Sequence, residues 1–329
     1  MNAEKSHDLT LKWFKWFEKS IFRSLLIQPM VDDPVEVFGI QFPNRIGLAA
    51  GLDKNGCCID AFAALGFGHI EIGTVTPRAQ SGNPKPRLFR LTKAQGLINR
   101  FGFNNLGVDQ LVENVKASNY TGVLGINIGK NFDTPVEKAT QDYLICLEKV
   151  YSHATYVTVN ISSPNTANLR QLQFGEALEE LLVAINQKQA ELTQKYNRRV
   201  PILIKIAPDL SGQEIKQLAE TFTQFDVDGV IATNTTFSRS GVEGLDHAEE
   251  QGGLSGLPIL KQSNFVLQQL SSMTNSQFPI IGVGGICDAL GAVEKIQGGA
   301  SLVQIYSGFI YQGPKLISDI AKTLKQKFA

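Results

Sequence analysis

The segment Asn160 to Thr166, which reads NISSPNT, holds the residue types in this chain that most directly suggest chemistry. It ends the β-rich run Tyr156 to Ile161 with hydroxyls set among amides, and a proline follows at once. Such a crowded strand end is typical of a site, although Asn, Ser and Pro also dominate ordinary turns. The interpretation as a site therefore depends on what ends the other strands of the chain.

Composition limits the fold and the class of partner. The 329 residues are 43% hydrophobic, enough for one large domain or two small ones, and no Ser/Gly/Pro-rich linker separates two halves. We predict one main domain, residues 36–329, with an N-terminal appendage, residues 1–35. The 31 basic and 31 acidic residues cancel, which removes the charge expected of a nucleic-acid binder. A small molecule is the expected partner.

The cysteines give no sign of a metal site. The four cysteines form no CxxC pair and no ligand cluster with the four scattered histidines, so we predict no metal and a reducing compartment. The sequence has no apolar run near the ~20 residues that a membrane span needs and no signal peptide with a cleavage site. We therefore expect a chain that is neither exported nor transmembrane.

Eight apolar runs predict strands, and each is followed by a segment compatible with a helix. They are Asn44 to Ala50, His69 to Thr74, Gly122 to Ile128, Tyr156 to Ile161, Ile202 to Ala207, Gly229 to Asn234, Pro279 to Gly284 and Leu302 to Ser307. Nearly continuous apolar strands are typical of a parallel sheet with both faces covered by helices. Eight such β-then-α units predict a closed (β/α)8 TIM barrel. A doubly wound open sheet is the alternative, but no GxGxxG follows the first strand.

In such barrels the chemistry lies at the carboxyl ends of the strands, and here those ends are polar. In strand order they carry Lys54, Thr74, Asn127, Asn160 with Ser163 just beyond, Lys205, then Thr233, Asn234 and Thr235, then Gly284 and Gly285, and finally Tyr306 and Ser307. Lys205, between Ile204 and Ile206, would be costly to bury without an anionic or strongly accepting partner. We attribute Lys205 to a ligand rather than to packing.

The last two strands and three long connections suggest the kind of ligand. Gly-Val-Gly-Gly and Tyr-Ser-Gly end strands seven and eight, where exposed backbone N–H groups commonly bind phosphate, although tight connections also need glycine. The long connections Pro77 to Arg100, Ser162 to Phe174 and Thr236 to Gly256 are expected to form the walls and lid of a pocket. The run NRFGFNN, Asn99 to Asn105, mixes amides with aromatic rings, as a site for a flat polar ring would.

Nine motifs in this order resemble the dihydroorotate dehydrogenase family. They are AAGLDKNG, EIGTVTP, NRFGFNN, INIGKN, NISSPNT, IATNTT, GGLSG, IGVGGI and LVQIYSGF, and the resemblance runs from about Lys5 to the C-terminus. The chain is similar to the class 2, quinone-dependent, membrane-associated branch, because Ser163 stands where the cytosolic branch has a cysteine and because an N-terminal extension precedes the barrel.

The resemblance implies a reaction and a set of site residues. The reaction is oxidation of dihydroorotate to orotate in pyrimidine synthesis, with electrons passing through FMN to a membrane quinone, either ubiquinone or menaquinone. Ser163 is implied as the base that removes the C5 proton. The implied substrate residues are Lys54, Asn99, Arg100, Phe101, Gly102, Phe103, Asn160, Asn165, Asn234 and Thr235. The implied FMN residues are Ala50, Gly51, Leu52, Asp53, Lys54, Thr74, Asn127, Asn160, Lys205, Thr233, Gly256, Gly285, Tyr306 and Ser307.

The N-terminal appendage has an amphipathic pattern from Leu9 to Leu26. Apolar residues, including both tryptophans, cover much of the helical surface, while Lys12, Lys19 and Arg23 share one narrow face. One interpretation is a helix packed on the barrel. The other, which the resemblance favours, is a pair of interfacial helices on the cytoplasmic face of the cell membrane that form an entrance for the quinone.

Three other functions stay open from the sequence. Another FMN-dependent barrel oxidoreductase would share the glycine-rich end but should lack NRFGFNN and the SSPNT loop together. A redox-inactive phosphosugar isomerase or phosphate-binding barrel would bind no flavin and would not need Lys205. A scaffold role leaves the polar strand ends unexplained.

Overall fold

The computed structural model describes residues 3–18, 20, 27–166 and 168–328. Its strands are β1 (Val35–Val37), β2 (Ile40–Phe42), β3 (Ile46–Leu48), β4 (His69–Val75), β5 (Leu88–Leu91), β6 (Gly96–Asn99), β7 (Val123–Ile128), β8 (Tyr156–Asn160), β9 (Ile202–Ile206), β10 (Gly229–Ala232), β11 (Gly253–Gly256), β12 (Ile280–Val283) and β13 (Leu302–Ile305). Its α-helices are α1 (Ala3–Glu18), α2 (Ile59–Ala63), α3 (Val108–Ala117), α4 (Ala139–Val150), α5 (Gly175–Tyr196), α6 (Gly212–Gln224), α7 (Leu260–Met273), α8 (Ala289–Gln297), α9 (Ser307–Gln312) and α10 (Lys315–Phe328).

Eight parallel strands close into a barrel in the order β3, β4, β7, β8, β9, β10, β12, β13 and back to β3. A helix follows each of them, so the predicted (β/α)8 fold is confirmed and the open-sheet alternative is wrong. The strand ends differ from those predicted by at most two residues; the first strand, for instance, begins at Ile46 rather than Asn44.

The two faces of each barrel strand pack differently. In β8 the side chains of Val157 and Val159 belong to the large apolar cluster shared with the surrounding helices, whereas Tyr156 belongs to the inner cluster. Because side chains alternate along a strand, Thr158 and Asn160 also face the interior. The outer faces therefore supply the apolar core, and the barrel interior can hold polar groups.

Two of the three long connections contain strands rather than loops alone. β5 and β6 form an antiparallel pair within the connection after β4, and β11, from the connection after β10, pairs with β6 to give a three-stranded sheet. The register places Asn99 opposite Gly253. This sheet fixes the position of the segment Asn99 to Phe103 relative to the strand ends of the barrel.

The N-terminal helix α1 packs on the barrel through one face only. The Phe14 ring meets the Phe62 ring of α2 edge-on at 5.4 Å, and the buried Arg87 side chain donates to the Glu4 carboxylate at 2.9 Å. Trp13 and Trp16 lie on the other face and are 55% and 57% exposed. Both interpretations of α1 are therefore compatible with its packing, while the predicted second helix, with Arg23, lies outside the described residues.

No helix among the described residues combines the length and the hydrophobicity needed to cross a membrane.

Candidate active site

A cavity opens at the carboxyl ends of the barrel strands, beneath the three-stranded sheet. Strand ends supply one part of its lining, and the β6–α3 and β8–α5 connections supply another. The polar side chains in this lining belong to Lys54, Thr74, Asn99, Asn160, Ser163, Asn165, Lys205, Thr233, Asn234, Thr235, Ser255, Gln304, Tyr306 and Ser307.

Ser163 lies among amide side chains that hold one another in place. Its buried hydroxyl oxygen accepts a hydrogen bond from the backbone N–H of Asn165 at 3.2 Å. The Asn165 side-chain amide donates to Asn99 Oδ1 at 3.3 Å, which ties the β8–α5 connection to β6. The Asn234 amide donates to Asn160 Oδ1 at 3.3 Å. These contacts orient several amides around one serine hydroxyl.

A second set of hydrogen bonds forms the cavity floor. The Asn160 amide donates to Thr74 Oγ1 at 3.0 Å, and the Thr74 hydroxyl donates to Asn127 Oδ1 at 2.5 Å. Asn127 in turn donates from Nδ2 to the Glu71 carboxylate at 2.8 Å. The floor is thus a connected network that continues below the cavity into the barrel interior.

Two lysines bring cationic groups to the cavity. Burial lowers the pKa of Lys205, and the nearby Glu71 carboxylate opposes that shift. Burial, with a smaller contribution from Arg87, lowers the pKa of Lys54 to about 8, while its ammonium lies 4.0 Å from the centre of the Phe101 ring. A pocket with two such amines favours an anionic or electron-rich ligand.

The end of the cavity formed by β11, β12 and β13 is built for close approach to the backbone. Gly256 and Gly285 have φ values of 92° and 85°, and a Cβ at Gly285 would lie 2.3 Å from the Cα of Leu260. Only glycine fits there. The hydroxyls of Ser255 and Ser307 hydrogen-bond each other at 2.9 Å in the same region. Small hydroxyls and bare backbone suit an anionic group such as phosphate.

The structure brings most of the predicted site residues together. Those that line the cavity are Ala50, Gly51, Lys54, Thr74, Asn99, Phe101, Gly102, Phe103, Asn160, Ser163, Asn165, Lys205, Thr233, Asn234, Thr235, Gly256, Gly285, Tyr306 and Ser307. Four predicted residues lie outside this lining: Arg100, Leu52, Asp53 and Asn127.

Each of these four residues has contacts elsewhere. The Arg100 side chain donates to Glu250 at 2.7 Å and stacks 4.7 Å from the Phe89 ring centre, so it points away from the cavity. Asp53 accepts hydrogen bonds from the backbone N–H groups of Cys57 and Cys58 at 2.9 and 2.7 Å. Asn127 lies one layer below the floor. Leu52 is buried in the apolar core.

Asp53, Cys57 and Cys58 also place possible metal-ligating atoms within 4.8 Å of one another, a grouping that the sequence did not suggest. Both carboxylate oxygens of Asp53 are occupied by backbone N–H groups of the same loop. The grouping is explained by the structure of the loop that carries Lys54.

Sequence reasoning missed three polar residues of the site: Glu71, Gln304 and Ser255. It explained buried Lys205 by a ligand, whereas Glu71 Oε1 lies 3.9 Å from the Lys205 ammonium. The available signal was a glutamate inside an apolar strand, two residues after the strand begins at His69. Gln304 lies in the same way in the apolar run of β13.

Comparisons with known proteins agree with this geometry. The family model "Dihydroorotate dehydrogenase" matches residues 34–328. The chain is 59% identical over 324 residues to a dihydroorotate dehydrogenase (quinone) of Aliivibrio salmonicida, covering 98% of this chain and 96% of the relative. It is 60% identical over 320 residues to the protein of that name in Photobacterium profundum, covering 97% and 95%.

Solved structures show the same similarity. The ligand-free dihydroorotate dehydrogenase (DHODH) of Eimeria tenella superposes with a TM-score of 0.89 at 35% identity, covering 98% of this chain and 93% of that one. The DHODH of the same organism in complex with ferulenol superposes with a TM-score of 0.88, covering 98% and 90%.

Proposed function

The chain belongs to the dihydroorotate dehydrogenase family, and on this premise we propose that it oxidises (S)-dihydroorotate to orotate and passes the electrons through FMN to a quinone, in pyrimidine biosynthesis. The observation that carries the proposal is the position of Ser163, buried among oriented amides in a barrel-end cavity that also contains a glycine-rich phosphate cradle. Quinone as acceptor rests on the relatives that carry that name.

The amide groups suit the substrate. Dihydroorotate and orotate are ring acids with imide N–H and C=O groups along their edges, and the side chains of Asn99, Asn165 and Asn234 can donate and accept along such edges. The Lys54 ammonium supplies a cation for the carboxylate. We assign to these residues the binding and orientation of the ring, with Phe101 and Phe103 from the same wall.

Ser163 removes the C5 proton in this proposal. A serine hydroxyl is a weak base unaided, so it must pass its own proton to a neighbouring hydroxyl or water as it takes the one from carbon. It does not act as a covalent nucleophile, because no acyl group is transferred. The amides around Ser163 hold the reacting edge of the ring at its hydroxyl, and the enclosing β5–β6–β11 sheet excludes bulk water.

The cavity fits FMN. Gln304 Oε1 is buried at the cavity and has no hydrogen-bond partner within the protein, and the Lys205 ammonium lies on the same floor. The cradle at Gly256 and Gly285, with the Ser307 hydroxyl, suits a ribityl phosphate. Bound there, FMN would supply the acceptor for the hydride that leaves C6. Lys205 would stabilise negative charge on the reduced ring.

We further propose that α1 binds the membrane surface on its cytoplasmic side and delimits an entrance for the quinone. The exposed surface of α1 is both aromatic and basic, because it carries Trp13 and Trp16 together with Lys12 and Lys15. Such a surface suits the interface between membrane and water. Trp13→Ser with Trp16→Ser should reduce binding to anionic liposomes severalfold and leave flavin reduction by dihydroorotate unchanged. Leu290→Ser, at a residue 64% exposed on α8, is the matched control and should leave liposome binding unchanged. Equal binding by all three proteins would overturn the membrane proposal.

The reaction is tested by anaerobic mixing of the purified holoprotein with dihydroorotate while the flavin absorption is followed. Loss of the oxidised band, restored by a short-chain quinone and not by NAD, is the expected result. Recovery with NAD would keep the substrate and overturn the acceptor. A bound flavin that dihydroorotate does not bleach would point to another FMN-dependent barrel oxidoreductase, and a preparation without flavin would favour a redox-inactive phosphate-binding barrel.

A further inference from the structure

The Glu71 carboxylate lies at the centre of the barrel, below the cavity floor and wholly buried. Its Oε1 accepts from Asn127 Nδ2 at 2.8 Å. Its Oε2 accepts from the Tyr156 hydroxyl at 3.1 Å and from Gln304 Nε2 at 3.0 Å. Three donors from three different strands therefore meet one carboxylate. Such a complete set of partners is what an ionised carboxylate needs in a dry interior, where an unpaired one is very costly.

Each donor to Glu71 is connected to the cavity or lies at it. Asn127 accepts from Thr74, a cavity residue, and Gln304 itself lines the cavity. Tyr156 fills the interior beside Gln304, which also donates to the tyrosine oxygen at 3.1 Å. Glu71 is thus the acceptor that fixes the orientation of several groups on the cavity floor.

The closest cation to Glu71 among the described residues is Lys205, with 3.9 Å between Nζ and Oε1. Within that part of the chain, no acceptor lies within hydrogen-bonding distance of the Lys205 ammonium. β9 places Lys205 beside Asn160 of β8 and Ile231 of β10. Tyr156 is the other titratable group in this network, and burial raises its pKa well above the usual value, so it stays neutral. Glu71 is therefore the charge that opposes the burial of Lys205.

We propose that Glu71 is a positioning residue for the redox step: its buried carboxylate keeps Lys205 protonated beneath the flavin and thereby raises the flavin's two-electron reduction potential. This inference rests on the proposed function, because it places a flavin above Lys205. The expected direction follows from charge. A protonated Lys205 stabilises the anionic reduced ring, whereas a neutral amine does so far less.

Removal of one partner of a buried ion pair leaves the other unpaired, and a buried amine then loses its proton rather than stay charged. Glu71→Gln keeps the shape of the side chain, removes its charge and turns one of its two acceptor oxygens into an amide donor. We expect a larger fraction of Lys205 to be neutral in this variant than in the native protein, because burial lowers its pKa and the opposing Glu71 charge is gone. The ratio of reduced to oxidised flavin at fixed potential should then fall at least tenfold, which corresponds to about 30 mV for a two-electron couple.

The measurement is the flavin midpoint potential of the holoprotein, obtained by equilibration with a redox dye and without dihydroorotate. Tyr156→Phe is the matched control, because it removes one hydrogen bond from the same carboxylate and leaves its charge. We expect Tyr156→Phe to change the ratio of reduced to oxidised flavin at fixed potential less than threefold. At pH 6 the flavin potential of the Glu71→Gln variant should return part of the way to the native value, because Lys205 regains a proton. An unchanged potential in Glu71→Gln, or an equal shift in Tyr156→Phe, would overturn the inference.

A second background decides whether Glu71 acts through Lys205. In a Lys205→Met protein, Glu71 is an unpaired anion below the flavin, so adding Glu71→Gln should raise the potential, the opposite sign to its effect in the native background. This pair of variants also serves if Glu71→Gln alone does not fold, because the double variant buries no unpaired charge. If Glu71→Gln lowers the flavin potential equally in the native protein and in the Lys205→Met protein, Glu71 does not act through Lys205.

Failure of this inference differs from failure of the proposed function. If dihydroorotate bleaches the native flavin but Glu71→Gln has the native potential, the function stands and the role of Glu71 is wrong. If the native flavin is not bleached, the function fails, whatever the potentials of the variants.

Discussion

The two ends of the barrel are built from the same eight strands but have opposite chemistry. At the carboxyl end, amides, hydroxyls and two lysines surround a cavity. At the amino end, the hairpin formed by β1 and β2 covers the opening with Phe38 and Phe42, whose rings lie 6.5 Å apart. A Cβ at Gly229, the first residue of β10, would lie 2.3 Å from the Phe38 ring. One end is packed closed, and the other is left open to a ligand.

A buried titratable group at each end shows what this difference means. His69 begins β4 and contacts the Phe42 ring edge-on at 5.2 Å, and neither ring nitrogen has a hydrogen-bond partner. Burial alone lowers its pKa to about 3. Lys205 is buried as well, but an anion lies 3.9 Å away. Charge is excluded at His69 and compensated at Lys205, so substitutions at the two ends should affect different properties.

The largest expected effect is on catalysis, from Ser163→Ala at the carboxyl end. We expect the variant to keep FMN and its stability but to lose 10² to 10⁴-fold in the rate of flavin reduction by dihydroorotate, because a general base contributes about that much. Stopped-flow measurement of the flavin band provides the rate. Ser211→Ala, which removes a serine hydroxyl outside the cavity, should retain the native rate. Native turnover in Ser163→Ala would remove the assignment of this serine as base.

Phe42→Ala, at the amino end, should lower the stability of the protein and leave its reaction rate unchanged. It opens a cavity at a fully buried aromatic residue, so the free energy of unfolding should fall by about 3 to 5 kcal/mol in urea denaturation. The folded fraction should reduce its flavin at the native rate. Phe265→Ala, at a residue 48% exposed on α7, is the matched control, with an expected change within about 0.5 kcal/mol. A slower reaction in folded Phe42→Ala would show that the two ends are coupled.

His69 gives the amino end a pH dependence of stability. The unfolded chain binds a proton at this residue below pH 6.5, whereas the native protein does not until about pH 3. The stability contribution is therefore lost as pH falls through this window. It amounts to about 2.5 kcal/mol between pH 7.5 and 4.5, at about 1.4 kcal/mol per pH unit. The free energy of unfolding, measured by urea denaturation at pH 7.5 and 4.5, should fall less in His69→Leu than in the native protein, by about 2.5 kcal/mol. An identical fall in both proteins would mean that His69 is protonated in the native state.

The smallest effect is expected at the N-terminal cap of α6, outside the two regions compared above. Ser211 Oγ accepts from the backbone N–H of Glu214 at 3.3 Å, and Glu214 Oε2 accepts from the backbone N–H of Ser211 at 2.7 Å. Ser211→Ala removes one half of this capping box at the start of α6. Urea denaturation should show a loss of about 1 kcal/mol. A loss as large as that of Phe42→Ala would show that the cap also supports the β9–α6 connection.

The barrel strands were predictable because each is an apolar run with a polar or glycine-rich end, and that pattern is local. Lys54, Asn160, Ser163 and Asn234 could be named for the same reason. The pairing of β6 with β11 was not predictable, because residues 96–99 and 253–256 are far apart in the chain and short strands in long loops carry little pattern of their own. Arg100 shows the converse: its motif placed it in the site, but Glu250 and Phe89 hold its side chain elsewhere.

By itself the sequence determined the number and order of the eight barrel strands, the polar residues at their carboxyl ends and the family. Periodicity and local motifs are enough for these. Only the tertiary structure decided that Glu71 lies 3.9 Å from Lys205 and that Asn127 lies below the floor rather than in it. Closure of the barrel brings side chains of β4 and β9 together in the interior, although β7 and β8 lie between these strands in the sheet. Contacts across a closed interior depend on register and on the stagger of the strands, which no local pattern records.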